Sequence, residues 1–193
     1  MARSKEFDKD EVLQKAMNVF WTHGYEATSM QVLVDAMGIK RQSLYDTFGD
    51  KQSLYRLALD RYRLEQENIL LALLAAPGSV RKKLEKVLYQ AIDEAITDET
   101  RRGCFMNNAM TEMVSQDEKT AEQAFQHMST VEHALEIALT RGQKSGEISG
   151  KHDARALARY FFNALNGLHV VSKTNPDKTF LEDIVKVTLE AFI

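Results

Sequence analysis

The sequence predicts an all-α fold of about nine helices, and three observations carry that prediction. Glycine and proline number only 9 and 2 of 193 residues, about half of the usual share, which leaves a sheet without its tight turns. Apolar residues recur at three- and four-residue intervals along most of the chain, the period of one helix face. Between these segments stand start residues (Ser, Thr or Asp) and stop residues (Gly or Pro). The balance of 25 Lys and Arg against 28 Asp and Glu, with 44% apolar and 27% charged residues, is that of an ordinary globular chain. It excludes a disordered, collagen-like or histone-like protein. The single cysteine, Cys104, forms no intrachain disulfide and suits a reducing compartment. The N-terminal residues Met1 to Glu11 hold no apolar signal core, and the longest apolar run, 69–76, is far below the approximately 18 residues of a membrane span. The expectation is a cytoplasmic protein with no membrane partner.

The elements follow in order. Asp8 and Glu11 stand in capping-box spacing, with Phe7 and Val12 where a hydrophobic staple closes, so a first helix starts at about Asp8. Val12, Leu13, Ala16, Met17 and Phe20 give it one apolar stripe, and His23-Gly24 ends it. Thr28 and Gln31 form a second capping box for a short helix through Leu33, Ala36 and Met37, stopped by Gly38. A third helix covers Lys40 to Phe48, with Leu44 and Phe48 inward and Gly49 at its end. The fourth runs from Lys51, after Asp50 as cap, to about Ala76, where Pro77-Gly78 stops it. At about 1.5 Å per residue it extends almost 40 Å. Ser79 caps a fifth helix (about Val80 to Ile96), Thr97 to Arg102 is a charged break, and Gly103 to Met110 opens a sixth. Asp117 caps a seventh to about Lys144, and Gly146, Gly150 and Asp153 lead into an eighth that ends at Asn175-Pro176. The ninth covers Phe180 to Phe192.

Two short helices joined by a three- to four-residue turn containing Gly are a helix-turn-helix candidate, whose second helix enters the major groove of double-stranded DNA N-terminus first. Arg41 there can chelate guanine O6 and N7, and Gln42 can take adenine N6 and N7. Thr28, Lys40, Ser43 and Tyr45 are placed for phosphates, as is Lys51 at the start of the fourth helix. Residues 1–52 hold seven Lys and Arg against eight Asp and Glu, so only the local pattern argues for DNA. A Lys-Arg pair at a helix start is by itself a solvated face.

Phe20, Gly24-Tyr25, Ala27-Thr28-Ser29-Met30, Leu33, Gly38-Ile39, Ser43-Leu44-Tyr45, Phe48-Gly49-Asp50-Lys51 and Leu54 together resemble the DNA-binding signature of TetR/AcrR-type bacterial transcriptional regulators, over about residues 8–57. The sequence departs from it at Val32, where an acidic residue is common, at Lys40, where Ser usually caps the third helix, and at Asp46-Thr47, where an aromatic and His are common. The resemblance implies a helix-turn-helix domain over 1–52 and a ligand-binding and dimerisation domain over 53–193. It also implies that the fourth helix transmits between them, and that the last two helices pair with their copies as a four-helix bundle. Ala154, Leu157, Ala158, Phe161, Leu165 and Leu168 on the eighth helix, with Leu181, Ile184, Val185 and Thr188 on the ninth, are the expected homodimer interface. The alternative is that these apolar faces belong to the core of one subunit.

The body offers a methionine stripe, Met106, Met110 and Met113, on one face of the sixth helix. Core filler is one reading; the other is a cavity shared with Tyr89, Cys104, Phe105, Phe125, Met128, Phe161 and Phe162, with Asn107 or Asn108 and His169 as polar anchors. Cys104, in the first turn of the sixth helix behind Arg101 and Arg102, is either a small buried hydrophobe or a thiolate favoured by the helix dipole and open to an electrophile or oxidant. Some TetR-like regulators use a body cysteine in that way. Gly142, Gly146 and Gly150 have charged residues between them and make no membrane motif. Gly146 to Lys151 is one residue short of a phosphate loop, and the five scattered histidines make no metal site. The expectation is a homodimeric repressor that binds a palindromic operator, responds to a small apolar or electrophilic ligand, and has no cofactor, metal or catalytic residues. A helical enzyme or an adaptor without DNA binding are the alternatives.

Overall fold

The computed structural model describes residues 7–192, which contain α1 (Lys9–His23), α2 (Met30–Met37), α3 (Arg41–Phe48), α4 (Lys51–Ala75), α5 (Val80–Thr97), α6 (Phe105–Glu112), α7 (Glu118–Lys144), α8 (Ala154–Val171) and α9 (Lys178–Glu190). The described residues contain no strand. Met1 to Glu6, part of the segment read above for its lack of a signal core, lies outside the described residues.

The capping expectations hold at most helix starts, each satisfying N–H groups that have no carbonyl within the helix. Asp8 accepts from the N–H groups of Asp10 and Glu11, Asp50 from Ser53, Ser79 from Lys82, Asp117 from Thr120 and Asp153 from Arg155. Two starts differ. Ser29, not Thr28, caps α2 by accepting from Val32 N–H at 3.2 Å. The α9 cap is Asp177, so that helix begins two residues before Phe180. Lys40 sits at the α3 start with no capping side chain. At the other end of α4, Lys83 and Arg141 donate to the C-terminal carbonyls of Leu74 and Ala76, cations where the helix dipole favours them.

The core lies in two clusters. The first joins α1, α2, α3 and the N-terminal half of α4 to Phe105, Met106 and Ala109 of α6 and to Met113 just after it. The second joins the end of α4 to α5, α7, α8 and α9. Because α6 turns its apolar stripe toward the first cluster, Met106 and Met113 are core, and Met110 is half-buried against the same cluster. The packing therefore runs across residue 52 without a break.

The last two helices bury the faces that the sequence analysis assigned to a partner. Leu157, Ala158, Phe161, Leu168, Leu181, Val185 and Thr188 are buried within the subunit, and Ala154, Leu165 and Ile184 pack against them. α8 lies on α7 and α9 on α5, so the widest apolar face of each helix closes this subunit's own core. The outward faces carry Tyr160, Val170, Phe180 and Val187, exposed by 44%, 53%, 41% and 64%.

Arg56 of α4 and Asp117 at the α7 start form a bidentate pair, with Nε 2.7 Å from Oδ2, in which Asp117 also accepts from Thr120. The Arg56 bonds hold the Asp117 carboxyl well below the usual carboxylate range. A depressed carboxyl stabilises the fold above its unfolded pKa of about 3.9 and loses that contribution as pH falls through the folded value. Asp117→Ala is expected to lower stability by about 3 kcal/mol through the lost pair and cap. Thermal unfolding should show the wild-type advantage over this variant shrinking below about pH 4.

Candidate nucleic-acid interface and ligand cavity

Gly38 ends α2 in the left-handed region at φ 68° and turns the chain into α3. Leu44 and Phe48 are buried, which leaves Lys40, Arg41, Gln42 and Tyr45 exposed and Ser43 half-exposed on the opposite face. The Arg41 guanidinium lies 6.0 Å from the Tyr45 ring centre, and Gln42 Nε2 donates to Asp46 Oδ1 at 2.8 Å. Thr28 is buried, its hydroxyl donating to Gly24 O at 2.6 Å and its N–H to Tyr25 O at 3.2 Å. Lys51 Nζ donates to Tyr25 O and Thr28 O, both at 2.9 Å, and sits 4.1 Å from the Tyr25 ring centre. It ties the turn after α1 to the start of α4.

α6 is fastened to this head at both ends. Ahead of it, Trp21 Nε1 of α1 donates to Gly103 O at 2.9 Å, with the Arg102 guanidinium 4.1 Å from the Trp21 ring centre. At its last residue the Glu112 carboxylate accepts from Tyr25 N–H at 3.0 Å and Glu26 N–H at 2.9 Å. Gly24 permits that approach: its φ is +80°, and a Cβ there would meet both Glu112 oxygens at 3.1 Å.

Behind α6 lie two adjoining chambers that share Tyr62, Gln66, Glu94 and His169. The outer one, about 350 Å³, is walled by Trp21 and the 97–103 loop together with Ser172 and Lys173. The inner one, about 110 Å³, lies between α4, α5, α7 and α8, with Ile69, Leu70, Leu73, Val87, Val131, Phe162 and Leu165 on its walls. Cys104 borders the inner chamber, and Tyr62 donates its hydroxyl to the sulfur at 3.5 Å. Burial pushes the Cys104 thiol up, against a smaller downward pull from the Tyr62 hydroxyl and the Asn107 and Met106 N–H groups. Arg102 is committed to Asp98 and the Trp21 face, so it does not favour a thiolate. On the opposite wall His127 Nδ1 lies 3.0 Å from Glu67 Oε1, and Arg63 holds the same carboxylate at 3.1 Å. Burial lowers the His127 pKa more than its Glu67 bond raises it. No group of three or more His, Cys, Asp or Glu among the described residues is placed to hold a metal ion.

A family model for bacterial regulatory proteins of the tetR family matches residues 12–58, and one for the tetracyclin repressor-like C-terminal domain matches residues 80–187. The chain belongs to the TetR family. It is 34% identical over 190 residues to an uncharacterized HTH-type transcriptional regulator, YezE, of Bacillus subtilis (strain 168), covering 98% of each chain. It is also 34% identical to the HTH-type transcriptional repressor ComR of Escherichia coli (strain K12), over 97% of this chain and 90% of that one. The TetR-family regulator CifR, solved as a cysteine mutant with a 26-bp double-strand operator DNA, superposes with a TM-score of 0.87 at 29% identity over all of both chains. The reduced form of Escherichia coli NemR shares the fold, with a TM-score of 0.87 at 16% identity over 95% of this chain and 96% of that one.

In this TetR-family body, Cys104, Phe162 and His169 border the cavity, and the other expected lining residues do not. Phe105, Met106, Met113 and Phe161 are core; Met110 and Tyr89 pack half-buried against core clusters. Asn108 donates to Arg102 O and accepts from Lys173 Nζ, outside the inner chamber. Phe125 and Met128 are 64% and 37% exposed because α7 turns that face to solvent. Tyr62, Gln66, Glu94, His127 and Asn166 were missed. Gln66 had one readable signal, a polar residue on the stripe through Tyr62, Ile69, Leu70 and Leu73.

Thr28 has both of its donors occupied inside the head, which corrects its assignment to a phosphate, whereas Lys51 Nζ commits two of its three N–H groups there. Removing the Lys51 clasp with Lys51→Ala is expected to lower stability by about 2 kcal/mol through two charge-assisted hydrogen bonds and a cation–π contact. Thermal unfolding checks it, with a fall of about 4 to 8 °C in melting temperature for a chain of this size.

Proposed function

We propose that this TetR-family regulator is a cytoplasmic repressor that binds a palindromic double-stranded operator as a homodimer and is released by a small molecule in the body cavity. The observation that carries the DNA-reading role is the exposed start of α3, where Arg41 and Gln42 project from a helix whose Leu44 and Phe48 are locked in the core. Such a helix is a rigid reader, since its base-facing residues sit on a packed scaffold. CifR, bound to operator DNA, supports the same partner here. The proposed division of roles is 1–52 for DNA and 53–193 for ligand and partner, with Lys40, Ser43 and Tyr45 as phosphate contacts.

For the dimer we propose the outward stripe of α8 and α9 in place of the faces that are buried. Ala156, Tyr160, Asn163, Gly167 and Val170 recur at three- and four-residue intervals and are exposed, as are Phe180 and Val187 on α9. Nothing lies within 4 Å of a Cβ built on Gly167, which leaves room for a close helix crossing. A twofold pair on this stripe matches a palindromic operator.

The test of the DNA role is a salt-dependent binding titration against DNA from upstream of the gene. Arg41→Ala and Gln42→Ala are each expected to weaken operator binding by about 5- to 150-fold, or about 1 to 3 kcal/mol, and to relax preference at one base pair. Equal binding of Arg41→Ala and wild type to operator and to scrambled DNA would show that α3 does not read bases. For the dimer, Val170→Glu with Val187→Glu should give a folded monomer by light scattering and circular dichroism. A persisting dimer would place the interface elsewhere.

A further inference from the structure

The inner chamber has an electrostatic character that its volume alone does not convey. Its lining contains no Lys, Arg or Asp. Its one formally charged wall residue outside the ring systems, Glu94, is exposed at the rim, where it accepts from Gln90 Nε2 at 2.9 Å. The cations near the cavity belong to the outer chamber: Arg102 is paired with Asp98, and Arg101 and Lys173 stand at the outer wall.

His169 borders both chambers, and its ring nitrogens have no hydrogen-bond partner among the described residues. Burial alone pushes its pKa down to about 4, so near pH 7 the ring is neutral and offers one donor and one acceptor. His127 is neutral as well, and because the Glu67 carboxylate only accepts, its Nδ1 carries the proton and Nε2 is left as an acceptor. The side-chain amides of Gln66 and Asn166 line the same space without a hydrogen-bond partner among the described residues. A set of neutral polar groups in an apolar wall hydrogen-bonds a neutral guest well and compensates an ion poorly, since an ion stripped of water needs a counter-charge. The space of about 110 Å³, open to solvent on the side of Ile69, Gln90 and Glu94, is of the order of one small ring.

We propose that the inner chamber takes an uncharged molecule with a ring-sized apolar body, held at His169 by a hydroxyl or carbonyl group; this rests on the ligand-responsive reading above. The site selects against charge in both directions. An anion there would face Glu94 with no cation on the wall, and an ammonium group would reach Glu94 only at the wet rim.

Three probes of one shape separate these cases: benzyl alcohol, benzoate and benzylammonium, each added to the full-length protein at pH 7 in a thermal-shift measurement. Benzyl alcohol, at about tenfold excess over its dissociation constant, is expected to raise the melting temperature by about 3 °C, with no shift from the two ions. His169→Leu should abolish the shift, and His169→Gln, which keeps a donor and an acceptor, should retain part of it. A shift from benzoate alone would overturn the proposal in favour of an anion site at Arg101 and Lys173, and one from benzylammonium alone in favour of Glu94. Equal shifts from all three, no shift from any, or an undiminished alcohol shift in a folded His169→Leu would each overturn it too. Should His169→Leu fail to fold, the charge series on the wild-type protein decides alone. Operator binding without probe, measured in parallel, keeps the readings apart: its absence would defeat the regulator reading, whereas normal operator binding with no alcohol shift would defeat only this ligand class.

Discussion

The chain reverses direction after α1, and at that turn the N–H groups of Tyr25 and Glu26 find no carbonyl of their own segment. Glu112 supplies both acceptors from the last residue of α6. Two charge-assisted hydrogen bonds to main chain are stronger than a side-chain contact of the same length, and an unpaired N–H at a half-buried turn is costly. The head is therefore held to the body by its backbone, at a point fixed by a helix only eight residues long. Around that point the rest is arranged: Gly24 has no side chain to obstruct the carboxylate, Lys51 grips the carbonyls on the other side of the same turn, and Phe105 and Met106 close the shared core beneath it.

That arrangement places the cavity one helix away from the helix-turn-helix head. Gly103 and Cys104 lie at the beginning of α6, against the chambers, while Glu112 lies at its end, against the head. A rigid element joining two sites can bias both, and the coupling acts equally in each direction. Trp21 adds a second link, since this residue of the head's first helix is itself part of the outer chamber wall. Polar groups close to the cavity are mostly committed elsewhere, with Arg63 and His127 both on Glu67 and Arg102 on Asp98. Those left uncommitted, such as His169, set the chemistry of the space.

The helices were legible because their punctuation is local. A cap such as Asp8 or Asp117 acts on N–H groups two or three residues away, and a glycine such as Gly38 acts on its own backbone, so the relevant physics lies inside a short window. The α2 start shows the limit of that window. Thr28 and Ser29 are both capping residues, and the choice fell to Ser29 because the Thr28 hydroxyl is taken by Gly24 O four residues back. Which face of α8 meets the core was not legible. The stripe with Leu157, Phe161 and Leu168 and the stripe with Tyr160 and Val170 are both apolar enough to be buried, and only the docking of α8 on α7 separates them. The cavity was hidden for a related reason. Its polar members, Tyr62, Gln66, His127 and His169, come from three helices distant in sequence, so no spacing rule links them. The direction of the Cys104 shift turned on burial against Tyr62 and its neighbours, which outweighed the helix-terminus effect that could be read from position.

The internal bond from Gln42 to Asp46 bears on how such a head searches a genome. A protein scanning nonspecific DNA moves on phosphate contacts and passes each base pair briefly. If Gln42 contacts a base edge as proposed, its amide on nonspecific DNA already has a partner in Asp46 and is not left unpaired beside a mismatched base. In the proposed contact, an adenine would offer that amide both a donor and an acceptor, so one bond would be exchanged for two. On the proposed reading, the net gain from a base contact by Gln42 is the difference between the bonds made and the bond to Asp46 given up, smaller than for an uncommitted amide.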